Sequence, residues 1–291
     1  MMRSLWLVLA VVLVVVFAFA LLGCPGADAA EGEGEGEGEG EGEGEGEGEA
    51  VTESEPNDGK EVADVNALAV GDTMSGAIGT EDDVDFFSIA TQAGGFYRVT
   101  LTAPAGSLLD GHLTILDSGR GEAEPGQDYV RLGRSPDGAS AVLEMIAFGA
   151  GHFVIVRDAR GVDSEPQGSA EHTYELRVEE VELPTEPIAF PSTVDAALPE
   201  IGSIKLYAFD AVATADFTVD LTATGDLDAR LFIFSFDEGD WVARNDDRAI
   251  DDVDPLLDAF FPVGGPCLVV VESTAETASD ASFTLTTTGN L

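Results

Sequence analysis

The sequence predicts an all-β chain, two tandem antiparallel β-sandwiches behind a signal segment and a Glu/Gly tether, and three observations lead there. From residue 51 onward, short runs of β-branched and aromatic residues alternate with clusters of Gly, Pro and Asp, and no stretch holds a 3.6-residue apolar period. Period-2 alternation is plain where Tyr97, Val99 and Leu101 interleave with Arg98, Thr100 and Thr102. It returns where Phe217, Val219 and Leu221 interleave with Thr218, Asp220 and Thr222, so both segments read as half-buried strands with one face in water. Finally, those two strands belong to a repeat covering most of residues 51–291.

The chain begins with one positive charge, Arg3, and an unbroken apolar run from Leu5 to Leu22. A short basic start followed by such a core describes a secretory signal, although 18 apolar residues also reach the lower limit for a membrane helix. Leu21-Leu22-Gly23-Cys24 at its end resembles a bacterial lipobox, which implies cleavage after residue 23 and lipidation of the Cys24 thiol. The alternatives are an uncleaved signal anchor or a conventional cut near Ala27–Ala30. All three place the remainder outside the cytoplasm, and the lipid-anchored form is expected at an outer membrane or cell surface rather than the inner membrane.

Residues 24–50 form the tether, and positions 31–49 simply alternate Glu and Gly. Such a segment has no apolar surface to bury and repels itself, so no packed structure is expected, and about 20 extended residues span roughly 65–70 Å. The tether accounts for ten of the 43 net negative charges; the first 30 residues are neutral overall, which leaves −33 on residues 51–291. A surface of this sign repels nucleic acid, whose binding depends on Lys and Arg at phosphates, and it disfavours an anionic membrane face. Membrane attachment is therefore expected through the lipid.

The repeat aligns Tyr97 with Phe217, an offset of 120, and Leu109–Ile115 with Leu227–Ile233, an offset of 118. His152–Val156 aligns with Cys267–Val271 at 115, and Tyr174–Leu176 with Phe283–Leu285 at 109. A steadily falling offset is what shorter loops in the second copy produce when strand order is kept. Two homologous domains follow, 51–183 and 184–291, joined at Leu183-Pro184-Thr185-Glu186-Pro187, which is too proline-rich to continue a strand. Each is large enough for one sandwich core.

The first copy carries Glu53-Ser54-Glu55-Pro56-Asn57-Asp58, Ala67-Leu68, Gly71-Asp72, Gly76-Ala77-Ile78 and Asp82-Asp83-Val84-Asp85-Phe86-Phe87. Together with Leu109-Asp110, Gly151–Val156 and Tyr174-Glu175-Leu176, these resemble the bacterial pre-peptidase C-terminal (PPC) domain over essentially all of 51–183. The second copy resembles it from about residue 190 through Asp226-Leu227-Asp228, Asn245-Asp246-Asp247 and Gly264–Val270. It lacks the E-x-E-P-N-D opening and the D-D-x-D stretch, so it is divergent. The resemblance implies a jelly-roll-like antiparallel sandwich of the kind that trails secreted peptidases, with relatives in clostridial collagenases that bind collagen and calcium.

Calcium takes six to eight oxygen ligands. Glu53, Glu55, Asn57 and Asp58 offer four oxygen-bearing side chains within six residues. By the resemblance, the opening segment and a D-x-x-D pair, here Asp82 and Asp85, supply the ligands. The competing reading is a solvated acidic linker and an acidic turn. The later cluster of Asp246, Asp247, Asp251, Asp252 and Asp254 reads as a solvated loop.

Nothing in the sequence points to catalysis. His112, His152 and His172 share no metal-ligand spacing, and there is no H-E-x-x-H motif, G-x-S-x-G elbow or phosphate loop. Cys267 heads the apolar run Leu268–Val271 and reads as a small buried hydrophobe. With Cys24 acylated it has no disulfide partner. Trp241 is open to two readings, a platform for a sugar or peptide and a side chain closing a core edge. The expected function is a non-catalytic, lipid-anchored surface protein that binds an extracellular protein or polysaccharide, its first domain stiffened by calcium. The alternative is a spacer or accessory factor for secreted enzymes.

Overall fold

The structure is a computed structural model that describes residues 51–117, 130–134, 140–149, 151–162, 165, 167–200, 202–247, 254–261, 264–274 and 280–289. The signal segment, Cys24, the Glu/Gly tether, Asp251 and Asp252 lie outside the described residues. No helix among the described residues is long and apolar enough to cross a membrane.

The chain is all-β. In the first half the strands are β1 (Val51–Thr52), β2 (Ala67–Leu68), β3 (Thr73–Ala77), β4 (Asp85–Ile89) and β5 (Phe96–Thr102). They continue with β6 (Gly111–Asp117), β7 (Val130–Arg134), β8 (Ser140–Ile146), β9 (His152–Asp158) and β10 (Thr173–Glu180). Sheet I has the order β1-β3-β10-β5-β8 and sheet II the order β2-β4-β9-β6-β7. Leaving aside the two-residue edge strands β1 and β2, eight strands divide into two four-stranded sheets, β3-β10-β5-β8 and β4-β9-β6-β7, which is the jelly-roll arrangement.

The second half repeats it. Its strands are β11 (Thr185–Pro187), β12 (Ser192–Ala197), β13 (Ile204–Ala211), β14 (Ala215–Ala223) and β15 (Ala229–Ser235). The rest are β16 (Asp240–Asn245), β17 (Leu256–Phe261), β18 (Gly265–Ser273) and β19 (Ser282–Gly289). Sheet III runs β11-β13-β18-β15-β16 and sheet IV runs β12-β19-β14-β17. Registers agree as well as order. Leu101 pairs with Leu176 as Leu221 pairs with Leu285, and Leu113 pairs with Val156 as Leu231 pairs with Val271.

Alternation explains each core. In β5 the burial pattern alternates strictly, and Tyr97, Val99 and Leu101 face Leu113, Ile115, Val154 and Val156 from sheet II. Each such side chain, fully buried, contributes roughly 1.5–3 kcal/mol. Sheet III departs from alternation: every residue of β15 is buried, because both of its faces are covered. Leu231 and Ile233 point into the second core, whereas Phe232 and Phe234 join the cluster of the first half.

Phe148, just beyond β8, is the wedge between the halves. Its ring lies 5.2 Å from that of Phe232, 5.8 Å from Phe234 and 4.7 Å from Trp241, centroid to centroid. Beside it the segment 202–204 lies along β8, where Glu144 N donates to Gly202 O (2.7 Å) and Ile204 N donates to Glu144 Oε2 (3.2 Å). Gly202 has φ 84°, and a Cβ there would sit 2.0 Å from Val142 O, so only glycine fits this contact.

Candidate functional site

An acidic cluster closes one end of the first sandwich. The strap after β1 is held to sheet I by Glu53 N donating to Ser75 O (3.0 Å) and to β4 by Phe86 N donating to Asn57 O (3.0 Å). Asn66 clamps it from the side, accepting from Ser54 N at 2.7 Å and donating to Ser54 O at 2.9 Å. The strap thus carries Glu53, Glu55 and Asn57 over Asp85, the first residue of β4, and Tyr174 of β10.

Glu53 Oε1 accepts from Ala77 N at 2.6 Å and Oε2 accepts from the Tyr174 hydroxyl at 2.5 Å. The same hydroxyl also reaches Asp85 Oδ2, so one proton serves two carboxylates. Ligand oxygens of Glu53, Glu55 and Asp85 all lie within 4.8 Å of one another. Gly76 makes room for them, since a Cβ there would sit 2.4 Å from both Glu53 Oε2 and the Tyr174 hydroxyl oxygen.

Asn57 is completely buried and completes the group. With its nitrogen turned toward the carboxylates it donates to Asp85 Oδ1 (2.8 Å) and Glu55 Oε2 (2.9 Å), while its carbonyl accepts from Asn66 Nδ2 (3.1 Å). Turned the other way, its carbonyl oxygen faces the same carboxylates. The amide can therefore serve either as a donor to a bare cluster or as one more oxygen in a ligand set.

The electrostatics follow from burial and like charge. Burial first, and then the neighbouring Glu53 carboxylate, push Asp85 up to about 9 despite the hydrogen bond from Tyr174. Burial, with Asp83 and Glu53 nearby, raises Glu55. Asp83 is raised by burial and by Asp58 beside it, even though Gly79 N donates to its Oδ2. The Tyr174 phenol is raised by burial and by the two carboxylates it serves.

Of the six residues expected at a cation site, the structure brings together Glu53, Glu55, Asn57 and Asp85, with Asp58 next to Asp83. Asp82 is exposed. It lines a separate hollow of about 220 Å³ with Glu81, Asp83, Val84, Arg157, Asp158, Gly161 and Gln167. Asp83 thus replaces Asp82 at the cluster, because Gly79 N–H turns that carboxylate inward. Sequence reasoning also missed Tyr174 and Asn66.

The matching place in the second half is built differently. Asp85 pairs with Val156 and Lys205 with Val271, so Lys205 stands where the first half has Asp85. Phe283 stands in place of Tyr174, and Glu186 in place of Asn66. Lys205 Nζ donates to Glu186 Oε1 at 2.5 Å and lies 5.8 Å from the centre of the Tyr207 ring. An ammonium group thus sits where the first half gathers carboxylates.

The other sequence candidates have structural roles. His112, His152 and His172 are all buried. His152 Nδ1 contacts Thr91 Oγ1 (2.9 Å), and burial lowers the imidazole to about 4. His172 Nδ1 contacts Ser169 Oγ (2.9 Å). Burial pushes the Cys267 thiol up to about 12. Trp241 packs edge-on against Phe148, with the Arg244 guanidinium 5.0 Å from its ring centre, so it closes the joint between halves. Asp246 and Asp247 are exposed, and Asp254 Oδ1 accepts from Ala223 N at 2.9 Å.

The sequence matches no protein-family model and no curated protein. Among solved structures it is similar to the pre-peptidase C-terminal domain of collagenase from Bacillus anthracis, with 13% identity over 38% of this chain and 99% of that chain (TM-score 0.31). It is similar to PliG of Aeromonas hydrophila, a periplasmic inhibitor of g-type lysozyme, with 18% identity over 36% and 96% (TM-score 0.30). A third similarity is to the tandem CBM51 modules of a family 98 glycoside hydrolase from Streptococcus pneumoniae, with 11% identity over 73% and 83% (TM-score 0.23).

Proposed function

We propose that this protein is a non-catalytic pair of PPC-type sandwiches, the first stabilised by calcium, that binds an extracellular protein or polymer from a lipid anchor on the bacterial envelope. The observation that carries it is the convergence of Glu53, Glu55 and Asp85 to within 4.8 Å of one another beside the buried Asn57 and Tyr174. The donor set is all oxygen, which suits a hard cation. Glu53, Glu55 and Asp85 would hold the ion, with the Asn57 carbonyl turned inward, and Asp58 and Asp83 would add negative charge nearby. The ion would neutralise carboxylates that otherwise share protons. Lys205 supplies that positive charge in the second half, which supports a cation in the first half only.

Buried histidines and a protonated Cys267 support a non-catalytic role. Lipidation of Cys24 and the reach of the Glu/Gly tether rest on the sequence. The spacer reading is favoured by one observation, the outward side of sheet IV, which is dominated by Thr and Asp side chains.

Melting of the full chain in detergent, with calcium and then with chelator, tests the cation. Calcium should raise the melting temperature, and a Glu53→Gln, Glu55→Gln double variant should lose the shift. Identical melting of the wild type in both buffers sinks the proposal.

A further inference from the structure

We propose that the edge strand β17 is a docking site for an extended, basic peptide segment of a partner protein. This rests on the binding role proposed above and names its ligand class. In sheet I the edge strand is β8, and its Glu144 backbone N–H holds Gly202 O while its carboxylate holds Ile204 N. Arg98 Nη2 donates to the other Glu144 oxygen at 2.7 Å.

Shared registers carry this edge into sheet IV. Val99 pairs with Leu143 as Val219 pairs with Leu257, so Asp258 corresponds to Glu144, Thr218 to Arg98 and Phe260 to Ile146. The local geometry persists, since Thr218 Oγ1 donates to Asp258 Oδ1 at 2.7 Å. In the first half this edge is covered by segment 202–204. In the second, Asp258 is exposed, Phe260 is 56% exposed, and the two border a hollow of about 340 Å³ with Asp216, Thr218 and Thr288. On the free side of β17, Asn245 Nδ2 donates to Leu256 O (2.9 Å).

Charge decides the occupant. Strands β12, β14, β17 and β19 hold four aspartates, Asp195, Asp216, Asp220 and Asp258, and no Lys or Arg. An exposed aromatic face flanked by Asp216 and Asp258 favours a Lys or Arg side chain by cation–π and charge attraction. The edge position of β17 in sheet IV favours an added strand. A second copy of this chain is disfavoured, because the residues of its first half that correspond to 202–204 are Asp82, Asp83 and Val84.

The test is fluorescence anisotropy of a labelled alternating Lys-Thr peptide with the full chain in detergent. Its partner probe is the same peptide N-methylated at alternate residues, which keeps the charge but removes one row of N–H groups. Binding of the first probe should exceed that of the second. Phe260→Thr and Asp258→Asn should each weaken it roughly tenfold, with melting temperatures unchanged and Asp195→Asn on the far edge without effect. Equal binding of both probes overturns the proposal, since the ten tether glutamates would then suffice. So does indifference to Phe260→Thr. Self-association in sedimentation that Phe260→Thr abolishes would make a second copy the occupant, and Phe260-dependent retention on mannan would make it a glycan; either overturns the peptide. Loss of peptide binding with the calcium shift intact leaves the cation-stabilised module standing and removes only this edge site.

Discussion

Replacing Asp85 with Asn should stabilise the protein in chelator and destabilise it relative to wild type in calcium. Asp85 is fully buried, and its carboxyl is pushed up to about 9, mainly by burial and by Glu53. An unfolded aspartate titrates near 3.9. A folded value above the unfolded one means that the stability it contributes is complete below about pH 4 and is lost as pH rises through about 9. At pH 7, folding must pull a proton onto a group the unfolded chain leaves ionised, which costs about 4 kcal/mol at 1.36 kcal/mol per pH unit. Asparagine keeps an oxygen for the Tyr174 hydroxyl and needs no proton. For a fold of this size, 4 kcal/mol corresponds to roughly 10 °C in melting temperature. The assay is far-ultraviolet circular dichroism melting of the full chain in detergent, from pH 5 to pH 9. In chelator the variant should melt above wild type, by a margin that grows with pH. In calcium the order should reverse, because the variant lacks one of three converging carboxylates. A variant less stable than wild type in chelator at pH 7 would refute the reasoning, since Asp85 would then be an ionised group satisfied by Tyr174 and Asn57.

Tyr174→Phe should keep the fold, as Phe283 fills the corresponding place in the second half, but cost about 1–3 kcal/mol through two unserved carboxylates. Calcium calorimetry should show weaker binding. Phe148→Ala should cost about 3–5 kcal/mol, shift Trp241 emission to longer wavelength and speed proteolysis between residues 181 and 184. His152 is lowered to about 4 by burial, below its unfolded value, so its stability is present above about pH 6.5 and lost as pH falls, by at most about 3 kcal/mol. Urea unfolding of wild type against His152→Gln, with the difference plotted from pH 7 to pH 4, should show that slope.

The strands were legible because each copy buries one face of most strands, so Tyr97, Val99 and Leu101 betray themselves by alternation. Their pairing was legible because duplication preserved register, which is why the offsets 120 and 109 bring Leu221 opposite Leu285. The two-sided burial of sheet III had a signal, the unbroken runs Leu231–Phe234 and Leu268–Val271, although no local pattern says what lies on the second face. At the cluster, the density of carboxylates disclosed Glu53 and Glu55, while Asp85 came from the resemblance to the PPC domain. Asp83 instead of Asp82 depended on one backbone N–H in a turn, which composition does not encode. Tyr174 lies 121 residues from Glu53. Its only trace was comparative: the copy with the acidic opening has tyrosine where the copy without it has phenylalanine.

The way the described chain begins has a mechanical consequence. Tension arriving from residue 50 meets β1, two residues paired in parallel with β3, and then the strap at Glu53. Two ladder residues give little resistance to peeling, so the load passes to the bonds from Ala77 N and Tyr174 to the Glu53 carboxylate. Behind them stand β3 and β10, neighbours in sheet I. The cluster is thus the first strong fastening on the pulling line, and whatever neutralises its charge sets the force at which the sandwich starts to open.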